Sequence, residues 1–119
     1  MINWIDLTDE AVWQDVVRRS HIHPVCIFKH STRCGVSSMV LNRLEQHEPV
    51  QNSSWYMLDL IRYRTFSDLI AESTGVVHES PQMIILSDGA VQIHFSHTEI
   101  RTEVISQWLQ QLQRKDPVL

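Results

Sequence analysis

Hydrophobic positions along the chain fall into two kinds of pattern. Helical spacing over 9–19 predicts a first helix, which Thr8 would cap. The continuous apolar run Val25–Phe28 is typical of a central strand that is buried on both faces. Helical spacing returns from about Cys34 to Gln46, and Trp55–Leu60 has the composition of a second strand. The first half of the chain therefore predicts helix, strand, helix and strand.

The second half predicts another helix and then a hairpin. Thr65 and Asp68 form a capping pair for a third helix, which Gly75 would end in the left-handed conformation. Two strand-like runs, Met83–Leu86 and Val91–Phe95, flank an Asp-Gly pair. An Asp-Gly pair between two such runs is a strong signal for a two-residue hairpin turn.

The end of the chain completes a recognisable order of elements. Ser96 and Glu99 form a capping box for a last helix, whose apolar stripe continues to Leu112. Helix-strand-helix-strand-helix-strand-strand-helix is the thioredoxin-like order, and right-handed crossovers place helices on both faces of the sheet. We therefore expect one α/β domain over residues 1–119, with a mixed central sheet and a C-terminal hairpin plus helix. Asn3–Ile5 is a candidate for a short extra strand.

Composition narrows the class of protein further. The chain has 119 residues, 43% of them hydrophobic, with a formal net charge of −4 and two cysteines. The negative charge argues against a nucleic-acid partner, and no apolar run approaches the roughly 18 residues of a membrane span. The N-terminus lacks the basic and apolar segments of a secretory signal. We therefore expect a cytoplasmic protein whose cysteines are reduced. Two thiols also make neither a disulfide framework nor an all-cysteine zinc site.

The candidate chemistry centres on Cys34, which lies where the central strand has ended and a helix begins. Unpaired backbone N–H groups and the positive end of the helix dipole favour a thiolate there. Arg33 and Lys29 would stabilise the same charge, and the hydroxyl of Ser37, one helical turn on, could donate to the sulfur. A thiolate is the nucleophile of thiol–disulfide exchange, so we predict that Cys34 is catalytic. The alternative is an ordinary buried cysteine.

The second cysteine, Cys26, lies eight residues upstream toward the far end of the same strand. At about 3.3 Å per residue, its sulfur is expected more than about 10 Å from that of Cys34. This separation is beyond the range of a disulfide. Ser37 occupies the place where a dithiol enzyme has its second cysteine. We therefore predict a core role for Cys26 and a monothiol site that needs an outside thiol.

A second marker of the site is Pro81, directly before the strand that begins at Gln82. Proline at the first residue of a central strand is tolerated, but its missing N–H needs a reason. In thioredoxin-like folds this position holds a cis-proline that faces the cysteine, and the adjacent backbone pairs with the substrate. We predict a cis bond before Pro81 and substrate binding by Ser80, Pro81 and Gln82. An ordinary trans proline is the alternative.

Two segments of the chain resemble a known family. Phe28–Cys34 reads Phe-Lys-His-Ser-Thr-Arg-Cys, and His78–Gln82 reads His-Glu-Ser-Pro-Gln. Both resemble the YtxJ-type monothiol bacilliredoxins of the bacillithiol system. The resemblance extends from about Leu7 to Leu112, which is nearly the whole chain.

The resemblance implies a cytoplasmic enzyme of thioredoxin-like fold that removes bacillithiol from mixed disulfides on client proteins. Cys34 would be the attacking thiol and Pro81 the cis-proline. The partners would be thiolated clients and a low-molecular-weight thiol, with bacillithiol as redox co-substrate and no tightly bound cofactor. The family usually has proline after the cysteine, whereas this chain has Gly35, which loosens the first helical turn.

Two other functions stay open at this point. Cys34–Ser37 differs by one residue from the Cys-Gly-Phe-Ser signature of monothiol glutaredoxins, some of which hold an iron–sulfur cluster. Those proteins share a Gly-Gly pair after the hairpin strand, and this sequence has no such pair. The domain could instead be an adaptor that is reversibly thiolated at Cys34 and controls a partner. Composition does not separate the adaptor from the enzyme.

Seven histidines raise the question of a metal site. His21 and His23 lie in the loop before the central strand and have no companion ligands nearby in sequence, which is typical of surface histidines. His30 and His78 flank the expected active face. They could form a site with Cys34, tune the charge of its sulfur or cap loop carbonyls. We expect no metal site.

Overall fold

Strands and helices alternate along the chain in a computed structural model that describes residues 2–113. The strands are β1 (Trp4–Asp6), β2 (Val25–His30), β3 (Ser54–Asp59), β4 (Gln82–Ser87) and β5 (Ala90–Ser96). The helices are α1 (Glu10–Ser20), α2 (Gly35–Glu45), α3 (Arg64–Thr74) and α4 (Thr102–Gln113). A 3₁₀ helix, His97–Glu99, precedes α4. None of the helices within this part of the chain is long and apolar enough to cross a membrane.

The five strands form one mixed sheet in the order β1-β3-β2-β4-β5. β1, β3 and β2 run parallel, and β4 and β5 run antiparallel to their neighbours. Central β2 is buried over its whole length, and its Ile27 lies opposite Tyr56 on one side and Ile84 on the other. The predicted α/β fold is confirmed, and the candidate strand near Asn3 is an edge strand of the sheet.

Each face of the sheet has its own hydrophobic cluster. Phe28 belongs to the cluster that contains Val40 of α2 and Leu109 of α4. Ile27, the preceding residue of β2, belongs to the opposite cluster with Ile70 of α3 and residues of α1. Successive side chains of a strand point to opposite faces, so every residue of β2 is directed either toward α2 or toward α3.

The hairpin and the end of α3 agree with prediction. Asp88 and Gly89 have φ values of 52° and 75° between β4 and β5, as a two-residue turn with both central residues at positive φ requires. Gly75 ends α3 at φ 73°. Glycine adopts this conformation without the steric penalty of a Cβ atom.

Three helix starts differ from prediction. Asp9 caps α1 instead of Thr8, because its carboxylate accepts a hydrogen bond from the backbone of Val12 at 3.0 Å. α3 begins after Tyr63, so Thr65 lies inside the helix. The capping box of 96 and 99 exists, but it opens the 3₁₀ helix, and α4 begins only at 102.

Candidate active site

Cys34 is the N-cap residue of α2. Its backbone is extended, with φ −105° and ψ 117°, and Gly35 is the first helical residue. The N–H of Cys34 donates to the carbonyl of Ser31, and its own carbonyl accepts from Ser38, both at 3.1 Å. Its side chain is partly exposed and makes no capping hydrogen bond. A free thiol therefore lies beside the unpaired N–H groups that begin a helix.

Cys26 is buried in the core, as predicted. It faces the cluster shared with α2 and α4, between Trp55 of β3 and Ile85 of β4 in the strand register. It is fully buried and also free, and this burial raises the pKa of its thiol. Of the two cysteines, only Cys34 is partly exposed, so the site has one accessible thiol.

Ser37 lies in the first turn of α2 and is completely buried. Its hydroxyl oxygen is 2.6 Å from Nδ1 of His30 and accepts a hydrogen bond from the backbone N–H of Ser31 at 3.1 Å. The prediction that this hydroxyl points at the sulfur of Cys34 needs correction. The hydrogen bonds of Ser37 join the helix to the strand and the loop below it.

His30 is one of the two histidines for which the sequence left several roles open. It is the last residue of β2, is 6% exposed, and stacks on Phe28 with ring centres 5.7 Å apart. Burial lowers the pKa of His30, while the carboxylates of Asp59 and Glu45 act in the opposite direction. Burial thus favours the neutral form of this imidazole, which lies under the first turn of α2. Its position between strand and helix could not be found from spacing, because the contact depends on how α2 packs.

Lys29 points away from Cys34. It is fully buried on the face covered by α3, where its ammonium donates to the carbonyl of Ser67 at 3.3 Å. Burial lowers the pKa of Lys29 to about 8, against an opposing effect of Asp68. Because α2 packs on the other face, the expectation that Lys29 lies beside the sulfur is corrected. Arg33, in contrast, is exposed directly before Cys34.

The Ser80–Pro81 peptide bond is cis, as predicted. Pro81 is buried at the start of β4, and its carbonyl accepts from the N–H of His97 at 3.0 Å. Gln82 is also buried, and its side-chain amide donates to the carbonyl of Val77 at 2.9 Å. The Ser80 hydroxyl and the Gln82 side-chain carbonyl have no hydrogen-bond partner among the described residues. Substrate binding by these residues remains a prediction.

An apolar rim surrounds the end of the sheet at which Cys34 lies. Val36 on α2, Ile61 after β3 and Val77 before β4 are 40%, 42% and 81% exposed. β2 and β3 end at this edge and antiparallel β4 begins there, so the three side chains share one end of the molecule. Sequence reasoning missed this rim, because isolated valines and isoleucines carry no local signal of exposure.

The two histidines expected to flank the site are separated. His30 contacts α2, whereas Nδ1 of His78 is 3.4 Å from the hydroxyl of Ser67 on α3. Within residues 2–113, no group of three or more histidine, cysteine or acidic side chains is arranged to hold a metal ion.

The fold and this site together define a thiol oxidoreductase of the thioredoxin fold, with a single cysteine at the start of a helix and a cis-proline at the adjacent strand. The family model for the monothiol bacilliredoxin BrxC matches residues 5–105. The chain therefore belongs to the monothiol bacilliredoxin family, in agreement with the resemblance of its two motifs.

Solved structures support the same fold. A candidate oxidoreductase with a thioredoxin fold superposes with a TM-score of 0.77 at 26% identity, over 87% of this chain and 91% of that chain. Thioredoxin f from spinach chloroplast gives 0.70 at 13% identity, over 92% and 93%. Thioredoxin from Trypanosoma brucei brucei gives 0.72 at 14% identity, over 95% and 93%. At these low sequence identities, the similarity to the two thioredoxins shows a shared fold and nothing more.

Proposed function

We propose that this protein removes bacillithiol from mixed disulfides on client proteins, with Cys34 as the attacking thiol. The observation that carries the proposal is one accessible cysteine at the start of α2 in a chain of the monothiol bacilliredoxin family. Cys26 is buried and cannot act as a resolving thiol. The reaction is therefore expected to run entirely through intermolecular exchange, in the cytoplasm and without a bound cofactor.

The cycle has two exchanges. In the first, the thiolate of Cys34 attacks the bacillithiol sulfur, the disulfide to the client breaks, and the client leaves as a thiolate that takes up a proton from water. Cys34 now carries bacillithiol as a mixed disulfide. In the second, another bacillithiol thiolate attacks that bound sulfur and releases the Cys34 thiolate together with bacillithiol disulfide. In sum, one free bacillithiol thiol is consumed for each client thiol released, and it leaves joined to the bacillithiol removed from the client as bacillithiol disulfide.

The surroundings of Cys34 fit these steps. The first N–H groups of α2 and the guanidinium of Arg33 would stabilise negative charge on the sulfur as attacker and as leaving group. The backbone around Pro81, with Ser80 and Gln82, would hold the disulfide-bearing chain. The apolar rim of Val36, Ile61 and Val77 offers the client a surface that buries apolar area on docking.

The test is release of bacillithiol from a modified client by substoichiometric protein in the presence of free bacillithiol, followed by intact mass spectrometry. We expect Cys34→Ser to abolish release and Cys26→Ser, the matched control, to retain it. Equal release by wild type and Cys34→Ser would overturn the proposal. Turnover decides the adaptor alternative, because an adaptor would take up one bacillithiol per domain and then stop.

The Cys-Gly-Val-Ser segment 34–37 is the one feature that favours a second candidate function, that of an iron–sulfur carrier. Protein purified without oxygen should be colourless if it is an exchange enzyme. Visible absorbance that depends on Cys34 would favour the carrier instead.

A further inference from the structure

A buried group of hydrogen bonds joins the central strand to the helix that carries the active thiol. It comprises the imidazole of His30, the hydroxyl of Ser37 and the backbone N–H of Ser31, and we call it the His30–Ser37 clasp. The hydroxyl oxygen lies 2.6 Å from Nδ1 of His30 and 3.1 Å from the nitrogen of Ser31. Both side chains are buried, with exposures of 6% for His30 and 0% for Ser37.

The clasp closes the segment that contains Cys34. Ser31 is held at both ends of its backbone, because its N–H donates to Ser37 and its carbonyl accepts from the N–H of Cys34 at 3.1 Å. The backbone of Cys34 is thereby linked to the Ser37 hydroxyl through one intervening residue. The turn at Gly35 has open space beside it, since a Cβ atom there would meet nothing within 4 Å, and the N–H of Ser38 donates across it to the carbonyl of Cys34 at 3.1 Å. The clasp is the set of side-chain hydrogen bonds that ties this segment to the central strand.

The hydrogen bonds of the clasp depend on the protonation state of His30. A serine hydroxyl has one proton to donate and lone pairs to accept, and Ser37 already accepts from Ser31. If the imidazole of His30 is neutral with its proton on Nε2, Nδ1 accepts the Ser37 proton and all three groups are satisfied. If the imidazole is protonated, Nδ1 must donate to Ser37, which then has to send its proton elsewhere in a buried first turn.

The charges around His30 come from several elements. Asp59 lies beside it on β3, and Glu45 acts on it from the far end of α2. The 3₁₀ helix packed against α2 carries exposed His97 and Glu99. Burial outweighs these charges and lowers the pKa of His30, so the neutral form predominates at neutral pH.

We propose that His30 is a positioning residue, which holds Cys34 in its reactive position by accepting the hydroxyl proton of Ser37 at Nδ1. His30 does not touch the sulfur in this arrangement. It acts through Ser37 and Ser31, and the helix start keeps the thiol beside its N–H groups only while these hydrogen bonds persist. The relevance to exchange rests on the proposed function, but the clasp itself does not.

The first test reads the clasp directly in the wild-type protein. Long-range nitrogen–proton NMR of the histidine side chains distinguishes a protonated from an unprotonated Nδ1. We expect Nδ1 of His30 to be unprotonated at neutral pH, and the amide of Ser31 to be protected from hydrogen exchange. A protonated Nδ1 at neutral pH, or an unprotected Ser31 amide, contradicts the proposal even if every variant below fails to fold.

The second test measures alkylation of Cys34 by iodoacetamide as a function of pH, followed by intact mass. Ser37→Ala should slow alkylation at neutral pH about fivefold, the effect expected for one lost hydrogen bond. Ser38→Ala, at the next and exposed position, should match wild type. The wild-type rate should show an inflection on the acid side, where protonation of His30 stops Nδ1 from accepting the Ser37 proton. His30→Asn keeps a hydrogen-bonding atom near Nδ1 without a titrating ring, so it should keep most of the rate and lack this inflection.

Equal alkylation rates for Ser37→Ala, Ser38→Ala and wild type would overturn the proposal. So would an unchanged acid inflection in His30→Asn. Neither measurement uses bacillithiol or a client. If the clasp proposal is wrong, the release experiment can still support the proposed function. If the release experiment fails, the clasp can still be correct.

Discussion

The residues around Cys34 divide into an exposed side and a buried side. Arg33 and Gly35 are exposed, whereas Ser37 and His30 are buried between α2 and the sheet. Substitutions on the exposed side should change reactivity with small effects on folding, because they remove few contacts. Substitutions on the buried side should change both, since an unpaired buried polar group is costly.

Gly35→Pro is expected to stabilise the protein and to speed exchange. Gly35 is the first residue of α2, where proline loses no helical hydrogen bond. Cys34, at φ −105° and ψ 117°, already has the extended backbone that a following proline requires. We expect a gain of about 0.5–1 kcal/mol in the free energy of unfolding, from the restricted unfolded chain. Urea unfolding and exchange rates check this, with Gly35→Ala as control, and a slower, less stable proline variant would contradict it.

Lys29→Met should change how stability depends on alkaline pH. Burial lowers the pKa of Lys29 from 10.5 to about 8, so between these values the unfolded chain binds more protons than the native one. The contribution of Lys29 to the free energy of unfolding is therefore fully present above pH 10.5. It is lost as the pH falls from 10.5 through 8, because the native state must then bury a charged ammonium. Wild type should gain stability on passing from neutral to alkaline pH relative to Lys29→Met. Urea unfolding at both pH values tests this, and parallel curves would refute it.

Ser37→Cys should convert the site into a dithiol. Residues three apart at a helix start have Cα atoms about 5 Å apart, which lies within the range of about 4.4–6.8 Å that a disulfide needs. The introduced thiol should then expel bacillithiol from Cys34 without a second outside thiol. Intact mass would show the loss of two hydrogens and no adduct. A persistent adduct on Cys34 of the Ser37→Cys variant would contradict this.

Among the helices and strands, the bodies of the elements follow from local pattern, whereas helix starts do not. The continuous run Val25–Phe28 and the Asp-Gly turn at 88–89 predicted the central strand and the hairpin, because period and turn chemistry are local properties. A helix start depends on which neighbouring oxygen reaches a free N–H. Thr8 and Asp9 are both residue types that cap helices, with aspartate the more favourable of the two, and the geometry of the chain selects Asp9.

This choice of cap can be tested by a matched pair. Asp9→Ala removes the hydrogen bond to the backbone of Val12 and should lower the free energy of unfolding by about 1 kcal/mol. Thr8→Ala, the neighbouring substitution, should cost markedly less. The midpoints of urea unfolding compare the two, and a larger loss for Thr8→Ala would reverse the assignment of the cap.

For the molecule as a whole, three partly or fully buried histidines should make stability sensitive to acid. Burial lowers the pKa of His23, His30 and His78 below the ordinary 6.5. The unfolded chain therefore binds more protons between the native pKa values and 6.5, and stability is lost as pH falls through this window. Urea unfolding from about pH 5 to 7 measures the slope. His78→Gln should reduce it, exposed His21→Gln should not, and an identical slope in both would contradict this account.

Spacing along the chain was enough to predict the order of the elements, the position of Cys34 at a helix start and the burial of Cys26 in the core. The directions of Lys29, His30 and Ser37, in contrast, were settled by packing. Adjacent residues of β2 face opposite sides of the sheet, and which side receives α2 depends on how the crossovers pack. Of the two cysteines counted in the chain, packing buries one and leaves the other at the edge where exchange is proposed to take place.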